Sequence, residues 1–211
     1  MSEQVTVFGA NGKVGSRVVA ELLKRQYDVV AFVHSNGRLP DDPQLRVYQG
    51  DIYDAKSVDE ALAGSSIVIS ALGSWGTPKK DILTAGMTNI IAGMQQRGIS
   101  RIVSLTGSEA RASGDHLGLI HRLMHLLLRV VAGKVLVDGE RHIELLSQSR
   151  LDWTVIRSPI MTSDAIVSDY KYHLATRRPL PWATINRRLV ALSIVDSVRD
   201  RTWNKQAPFI S

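Results

Sequence analysis

Gly9, Gly12 and Gly15 fall within the stretch VTVFGANGKVG, directly behind a short apolar run from Val5 to Phe8. Glycines at that spacing let a backbone turn tightly, bring amide N–H groups close to a large anion, and seat a helix against a strand. A helix starting there adds its own field to hold negative charge. The spacing is G-x-x-G-x-x-G, not the G-x-G-x-x-G of common dehydrogenases, and the chemistry it points to is capture of a dinucleotide pyrophosphate. A nucleoside-triphosphate loop is excluded. Lys13 is followed by Val14 where that loop needs Ser or Thr, and no glycine stands five residues before Gly12.

The residues after the second apolar run bear on which dinucleotide. Sites for NAD place Asp or Glu there, to accept from the ribose hydroxyls. This chain has His34, Ser35, Asn36, Gly37 and Arg38 and no acid. A carboxylate would repel a 2′-phosphate, whereas Arg38 can fork onto one, with Ser35 and His34 adding donors. NADP is therefore expected over NAD, the other reading of Arg38 being a solvated charge beside LPDDP. Asp51 and Ile52 suit the amino group and ring face of an adenine. The stretches SALGS (70–74) and SLTGSE (104–109) are small and polar where a sheet edge would cup a nicotinamide.

These residues need elements to position them. Val5–Phe8 reads as strand one, followed by KVGSRVVAELLKRQ with Val14, Val18, Val19, Leu22 and Leu23 on one helical face. VVAFV (29–33) and LRVY (45–48) are strands two and three. Ser57 and Glu60 have the capping-box spacing, so a short helix is expected to start at Ser57. SIVISA (66–71) is strand four, apolar enough for burial on both faces. A helix runs from Asp81 to about Gln96, with Gly98 placed to end it. RIVSL (101–105) and WTVIR (153–157) are strands five and six, then a helix over LVALSIVDSVRD and a last strand at APFI. Alternating strands and helices imply an α/β, Rossmann-type, doubly wound parallel sheet in one domain over 1–211.

Composition narrows the classes further. The chain has 211 residues, 44% of them hydrophobic, which fits one sizeable core. It has no cysteine, which excludes disulfides, thiolate catalysis and Cys-ligated zinc. No apolar run is long enough to span a membrane and no leader pattern opens the chain, so a cytoplasmic location is expected. Of the net charge of +6, most lies late: residues 106–211 carry 15 Lys and Arg against 10 Asp and Glu. Arg177-Arg178 and Arg187-Arg188 flank PLPWATIN. Solvated loop charge is preferred there to contact with nucleic acid, and a small molecule is the expected partner.

The sequence resembles the atypical short-chain dehydrogenase/reductases with an NmrA-like NAD(P)-binding domain. It is most similar among them to the biliverdin-IXβ reductase/flavin reductase branch. The resemblance rests on VFGANGKVG, VHSNGRLP, GDIYDAKSVDEALAGSSIVISALGS and DGERHIELLSQSRLDWTVIRSP. It implies an NADPH-dependent reductase passing hydride to a flavin, quinone or similar conjugated acceptor, and strand order 3-2-1-4-5-6 with a short C-terminal strand. By position it implies that Gly9, Ala10, Asn11, Gly12, Lys13, Val14 and Gly15 hold the pyrophosphate. It assigns His34, Ser35 and Arg38 to the 2′-phosphate, and Asp51 and Ile52 to the adenine. Ala71, Leu72, Gly73, Ser74, Leu105 and Thr106 would line the ribose and nicotinamide. Ser158, Pro159 and Ile160 would close the far side. The substrate side would be formed by 106–135 and 160–188.

The departures from the family bear on chemistry. Asn11 stands where Thr is usual, His34 where Arg is frequent, and Ile160 where the flavin-reductase branch has a histidine. No Tyr-x-x-x-Lys pair occurs, and its usual places fall near Val135 and Gly139. Hydride transfer to a flavin or quinone needs chiefly proximity and alignment, with the proton taken from water afterwards. Carbonyl reduction needs a donor for the developing alkoxide, and only Ser108 and Thr106 are candidates. The alternative is a non-catalytic NADP(H) sensor of the NmrA-like kind. His121 and His125 share a helical face at i, i+4, but no third ligand is evident. Their segment, DHLGLIHRLMHLLLRVV, is expected to be an apolar lid over the substrate, with a dimer face or membrane-touching surface as the other readings.

Overall fold

The computed structural model describes residues 3–35, 37, 39–75, 77–116, 118–163 and 172–211. Val5, Val7 and Phe8 have no exposed surface because β1 (Gln4–Phe8) lies mid-sheet, flanked by β2 (Asp28–Val33) and β4 (Ile67–Ser70). β3 (Leu45–Gln49) pairs outside β2, and β5 (Arg101–Gly107) and β6 (Asp152–Ser158) continue beyond β4. All six strands are parallel in the order 3-2-1-4-5-6, as the resemblance implied. The four residues of β4 are all buried, which explains their unbroken apolar character. β3 is the edge, and Val47 on it is 53% exposed.

Helices cover both faces. α1 (Gly15–Lys24) packs beside α5 (Arg187–Arg199) on one side. α2 (Ala55–Ala61), α3 (Ile82–Arg97) and α4 (Leu119–Gln148) line up on the other. Val18, Val19, Leu22 and Leu23 of α1 are buried with Val14. Each such side chain contributes about 1.5–3 kcal/mol. Gly98 ends α3 in the left-handed conformation at φ 68°.

α2 begins earlier than the Ser57–Glu60 spacing predicts. Asp54 is its N-cap and accepts from the amides of Lys56 and Ser57, so Ser57 lies inside the first turn. Its hydroxyl donates back to Asp54 at 2.6 Å. The aspartate reaches the free amides first, and the S-x-x-E pattern is incidental.

The final strand is shorter than APFI. β7 (Ile160–Thr162) and β9 (Thr184–Asn186) form a small parallel pair apart from the main sheet. β8 (Leu174–Ala175) runs antiparallel to β10 (Phe209–Ile210), which is parallel to β6. At the amino end of β5, Arg101 is 1% exposed and donates to the carbonyls of Asp152, Ser197 and Asp200. Two of these are carbonyls at the C-terminus of α5, which a cation satisfies well. Burial, with the charge of Arg201 added, pulls this guanidinium down to about 10 against the opposing pull of Asp152 and Asp200.

Candidate functional site

The carboxyl ends of the parallel strands share one edge, and the residues singled out in the sequence gather there. Gly9 ends β1 at φ +74°, and a Cβ on it would stand 2.9 Å from the Ala71 carbonyl oxygen. The loop is closed by the Gly12 amide donating to Gly9 O at 3.0 Å. A Cβ on Gly15 would lie only 2.1 Å from that oxygen, so the first turn of α1 rests directly on the loop. A Cβ on Gly12 would be 3.1 Å from it, tight but open to small adjustment. The three glycines therefore divide their labour: Gly9 and Gly15 build the loop, and Gly12 keeps its approach clear.

No side chain caps the start of α1, and no acid lies in its first turn. The helix field is thus left for an anion. The Asn11 amide donates to Ser35 O at 2.8 Å, and Gly37 packs against the Asn11 side chain. Asn11 therefore ties the glycine loop to the loop after β2. This cradle of bare backbone fits a dinucleotide pyrophosphate.

His34 and Ser35 are exposed at the end of β2, and Arg38 lies outside the described residues. Asp51 is half-buried and accepts from the Tyr53 amide at 3.0 Å. Ile52 is buried. It meets Leu72 above Gly86 of α3, where a Cβ would lie 2.8 Å from Ile52 and 2.9 Å from Leu72. The two apolar side chains thereby meet over the bare backbone of α3.

Across the switch between β1 and β4, Ser74 is buried and its hydroxyl donates to Asp138 of α4. That carboxylate also accepts from the amides of Leu83 at 3.1 Å and Thr84 at 2.8 Å. Asp138 thus caps α3 from another helix, a task that Asp81, at the N-cap position, does not perform. Asp81 instead accepts from the Tyr53 hydroxyl at 2.9 Å. Burial and that hydrogen bond push the phenol well up, so it stays protonated. Leu105, Thr106 and Ser108 follow one another into the site, all buried. The Ser108 amide donates to Ser158 O at 2.7 Å, and the Ser158 hydroxyl to Pro159 O at 3.1 Å. Ile160, just beyond, is 60% exposed.

Gly139 explains what α4 lacks. A Cβ there would lie 2.8 Å from the Thr106 hydroxyl and 3.0 Å from Ala110. The helix backbone therefore rests against the carboxyl end of β5, near the place that the resemblance gives to the family's lysine. One turn on, the His142 imidazole is fully buried and meets the Ser104 hydroxyl at 2.8 Å. Burial pulls it down to about 4, against a smaller opposing pull from Asp138, so it is neutral at pH 7. An unfolded chain would protonate it near 6.5. The folded state therefore binds fewer protons between these values, and stability falls as pH drops through that window. About 2 kcal/mol should be lost from this group between pH 7 and pH 5. Denaturant titrations of the protein and of His142→Gln at both pH values check this, the variant showing the smaller pH dependence.

Arg157, the arginine of WTVIR, is the pivot of the substrate side. Its guanidinium is buried, lies 3.7 Å over the Phe209 ring, and donates to Ala207 O, Ala110 O and both oxygens of Asp115. Arg178 adds a third bond to Asp115 at 2.9 Å and one to Glu109 at 3.3 Å. Burial pushes the Asp115 carboxyl up, but the two arginines and the Ala112 amide outweigh it and hold it below the usual carboxylate range. This network joins the loop after β5 to β6, to β10 and to the segment around 178.

The histidine-bearing segment is the first half of α4, continuous with the helix that leads to β6 except for a break at Ala132 (φ −135°, ψ 31°). His121 faces Glu109 at 3.9 Å and His125 faces Glu140 at 3.6 Å. Among the described residues no three His, Asp or Glu come together as a metal site. Leu119, Leu123, Leu127, Val130 and Val131 face outward and are exposed. No helix of the described residues is long and apolar enough to cross a membrane.

Comparison with known proteins agrees with this fold. Residues 9–201 match the model of the NAD(P)H-binding family. The chain is 26% identical over 175 residues to an uncharacterized chloroplastic protein of Arabidopsis thaliana, covering 77% of this chain and 61% of the relative. It thus spans about six tenths of that relative's length. A short-chain dehydrogenase/reductase from Veillonella parvula, solved in complex with NADP, superposes with a TM-score of 0.79 at 16% identity. The match covers 100% of this chain and 95% of that one. ChuY, an anaerobillin reductase from Escherichia coli O157:H7, superposes with a TM-score of 0.75 at 21% identity, covering 98% and 96%. With a family match over residues 9–201, nearly its whole length, and a doubly wound Rossmann sheet, the chain belongs to the NAD(P)H-binding family.

Proposed function

We propose that the protein is an NADPH-dependent oxidoreductase that passes hydride to a flavin, quinone or similar conjugated acceptor. The observation that carries this reading is the bare glycine loop against the uncapped start of α1, at the same strand edge as Ala71 to Ser74, Leu105 and Thr106. Bound NADPH would supply the hydride. The residues of this chain would bind and orient: Gly9 to Gly15 by backbone amides, Asp51 at the adenine, and Ala71 to Ser74 with Leu105 and Thr106 around the ribose and nicotinamide. Ser158, Pro159 and Ile160 would form the opposite wall.

Tyr53 and Tyr172 give their hydroxyls to Asp81 and Asp196, so neither is free to protonate an acceptor. Among the described residues at the nicotinamide side of the edge, the hydroxyls of Thr106 and Ser108 are the candidate donors, and these are weak acids. An acceptor whose ring takes up the electron pair and draws its proton from water fits such a site better than a simple ketone. Assays with FMN, quinones and a set of aldehydes and ketones test the distinction. The conjugated acceptors should turn over with no protein ionisation shaping kcat/KM between pH 6 and 9, and the carbonyls should not. Turnover confined to the carbonyls would overturn the reading.

Preference for NADPH over NADH belongs to the same proposal. It is supported by the absence of an acid at the end of β2 and by the exposed His34 and Ser35. Arg38→Ala should weaken NADPH binding about tenfold or more, the size of one charge-assisted hydrogen bond, and leave NADH binding unchanged. Parallel fluorescence titrations read both. A sensor that binds NADPH without consuming it is the second reading, favoured by the close seat of Gly139 on Thr106.

A further inference from the structure

A second cleft opens beside this edge, and the residues of the proposed cofactor site do not line it. Its volume is about 550 Å³, between the loop after β5 and the first half of α4. Arg111, Asp115 and His116 form one wall, and Arg122, His125, Leu126 and Arg129 the other. The charge balance inside it is one-sided. Asp115, the only acid lining it, is already taken by Arg157 and Arg178. Arg111, Arg122 and Arg129 pair with no carboxylate among the described residues.

His125 gives an independent sign that the cleft is built for a ligand. It is 7% exposed, and its Nδ1 has no hydrogen-bond partner among the described residues. Its other nitrogen faces Glu140 at 3.6 Å. A buried polar atom without a partner is costly, and this one belongs to a side chain that lines the cleft, where an anionic group can complete it. An imidazole with its proton on Nδ1 donates to an anion, as do the three guanidinium groups around it. Leu126 adds an apolar surface for the body of the same molecule.

We propose that this cleft binds the anionic arm, a phosphate or a carboxylate, of the acceptor whose conjugated ring lies at the nicotinamide edge. Arg111, Arg122, Arg129 and His125 are then specificity-determining residues, and neutral acceptors are the poorer ones. The inference rests on the reductase reading, and binding measurements separate the two.

The test compares paired probes in the presence of NADP: FMN with riboflavin, which lacks the phosphate, and anthraquinone-2-carboxylate with its carboxamide. Flavin fluorescence and calorimetry give the affinities for the protein and for Arg122→Gln/Arg129→Gln. At least one anionic probe should bind about tenfold or more tighter than its neutral twin, the margin weakening with salt. The flavin pair discriminating alone identifies a phosphate, and the anthraquinone pair alone a carboxylate. The double variant should lose most of that margin while its affinity for NADPH and for the neutral probe stays within about twofold, a change of the size expected for surface sites away from a contact. Equal binding within both pairs, no binding of any probe, or a margin that survives in the variant would overturn the proposal. NADPH binding without turnover would defeat the reductase reading alone and leave the paired affinities as a separate result.

Discussion

Gly12→Val is expected to weaken NADPH binding by at least about a hundredfold, the equivalent of two charge-assisted hydrogen bonds, while the fold survives. The asymmetry comes from the loop itself. A Cβ on Gly12 meets only the Gly9 carbonyl oxygen, at 3.1 Å, a contact that a few tenths of an ångström relieves. The branched side chain would instead fill the approach to the amides that the start of α1 leaves uncapped. Gly15→Val is the contrasting case. With its Cβ 2.1 Å from backbone, it must push α1 off β1, at about 3 kcal/mol or more. Cofactor titration and thermal unfolding of the two variants separate the effects: Gly12→Val should lose affinity and keep its unfolding temperature, and Gly15→Val should lose both. Unchanged NADPH affinity in Gly12→Val would remove the glycine loop from the cofactor site.

Asp138→Ala should destabilise the protein by about 3–5 kcal/mol, because it strands the Leu83 and Thr84 amides and the Ser74 hydroxyl in a buried place. The same change removes the negative charge at the start of α3. Ser74→Ala removes one donor and should cost far less, and the double variant should cost less than the two single losses added. Urea unfolding of the four proteins forms the cycle. Additive losses would mean that Ser74 and Asp138 act independently, contrary to the hydrogen bond between them.

The parts of this molecule legible in its sequence are those set by local pattern. Val5–Phe8 followed by spaced glycines announces β1, its loop and α1, because strand period, backbone freedom and helix face are all short-range properties. Gly98 announces the end of α3 for the same reason. The network around the site was not legible. Asp138 and Ser74 are 64 residues apart and Arg157 and Asp115 are 42 apart, and no spacing rule links such pairs. The start of α2 departs from the Ser57 expectation for a local reason, since Asp54 and Ser57 both carry a capping signal and the first to reach the amides wins. β7, β8 and β9, two or three residues each, are held by their partners and leave no period to read. The cleft of Arg111, Arg122 and Arg129 was legible only as excess positive charge in the second half of the chain. What makes it a candidate site is that its single acid is spent on Arg157 and Arg178, and that is visible only in three dimensions.

The central claim, hydride transfer from NADPH to a conjugated acceptor without a Tyr-Lys pair, is tested most directly by NADPH consumption. The purified protein is given FMN and a panel of quinones as acceptors, with NADH measured in parallel. The account predicts turnover that favours NADPH over NADH. NADPH that binds but is consumed with none of these acceptors would contradict it and make the protein a sensor of the cofactor.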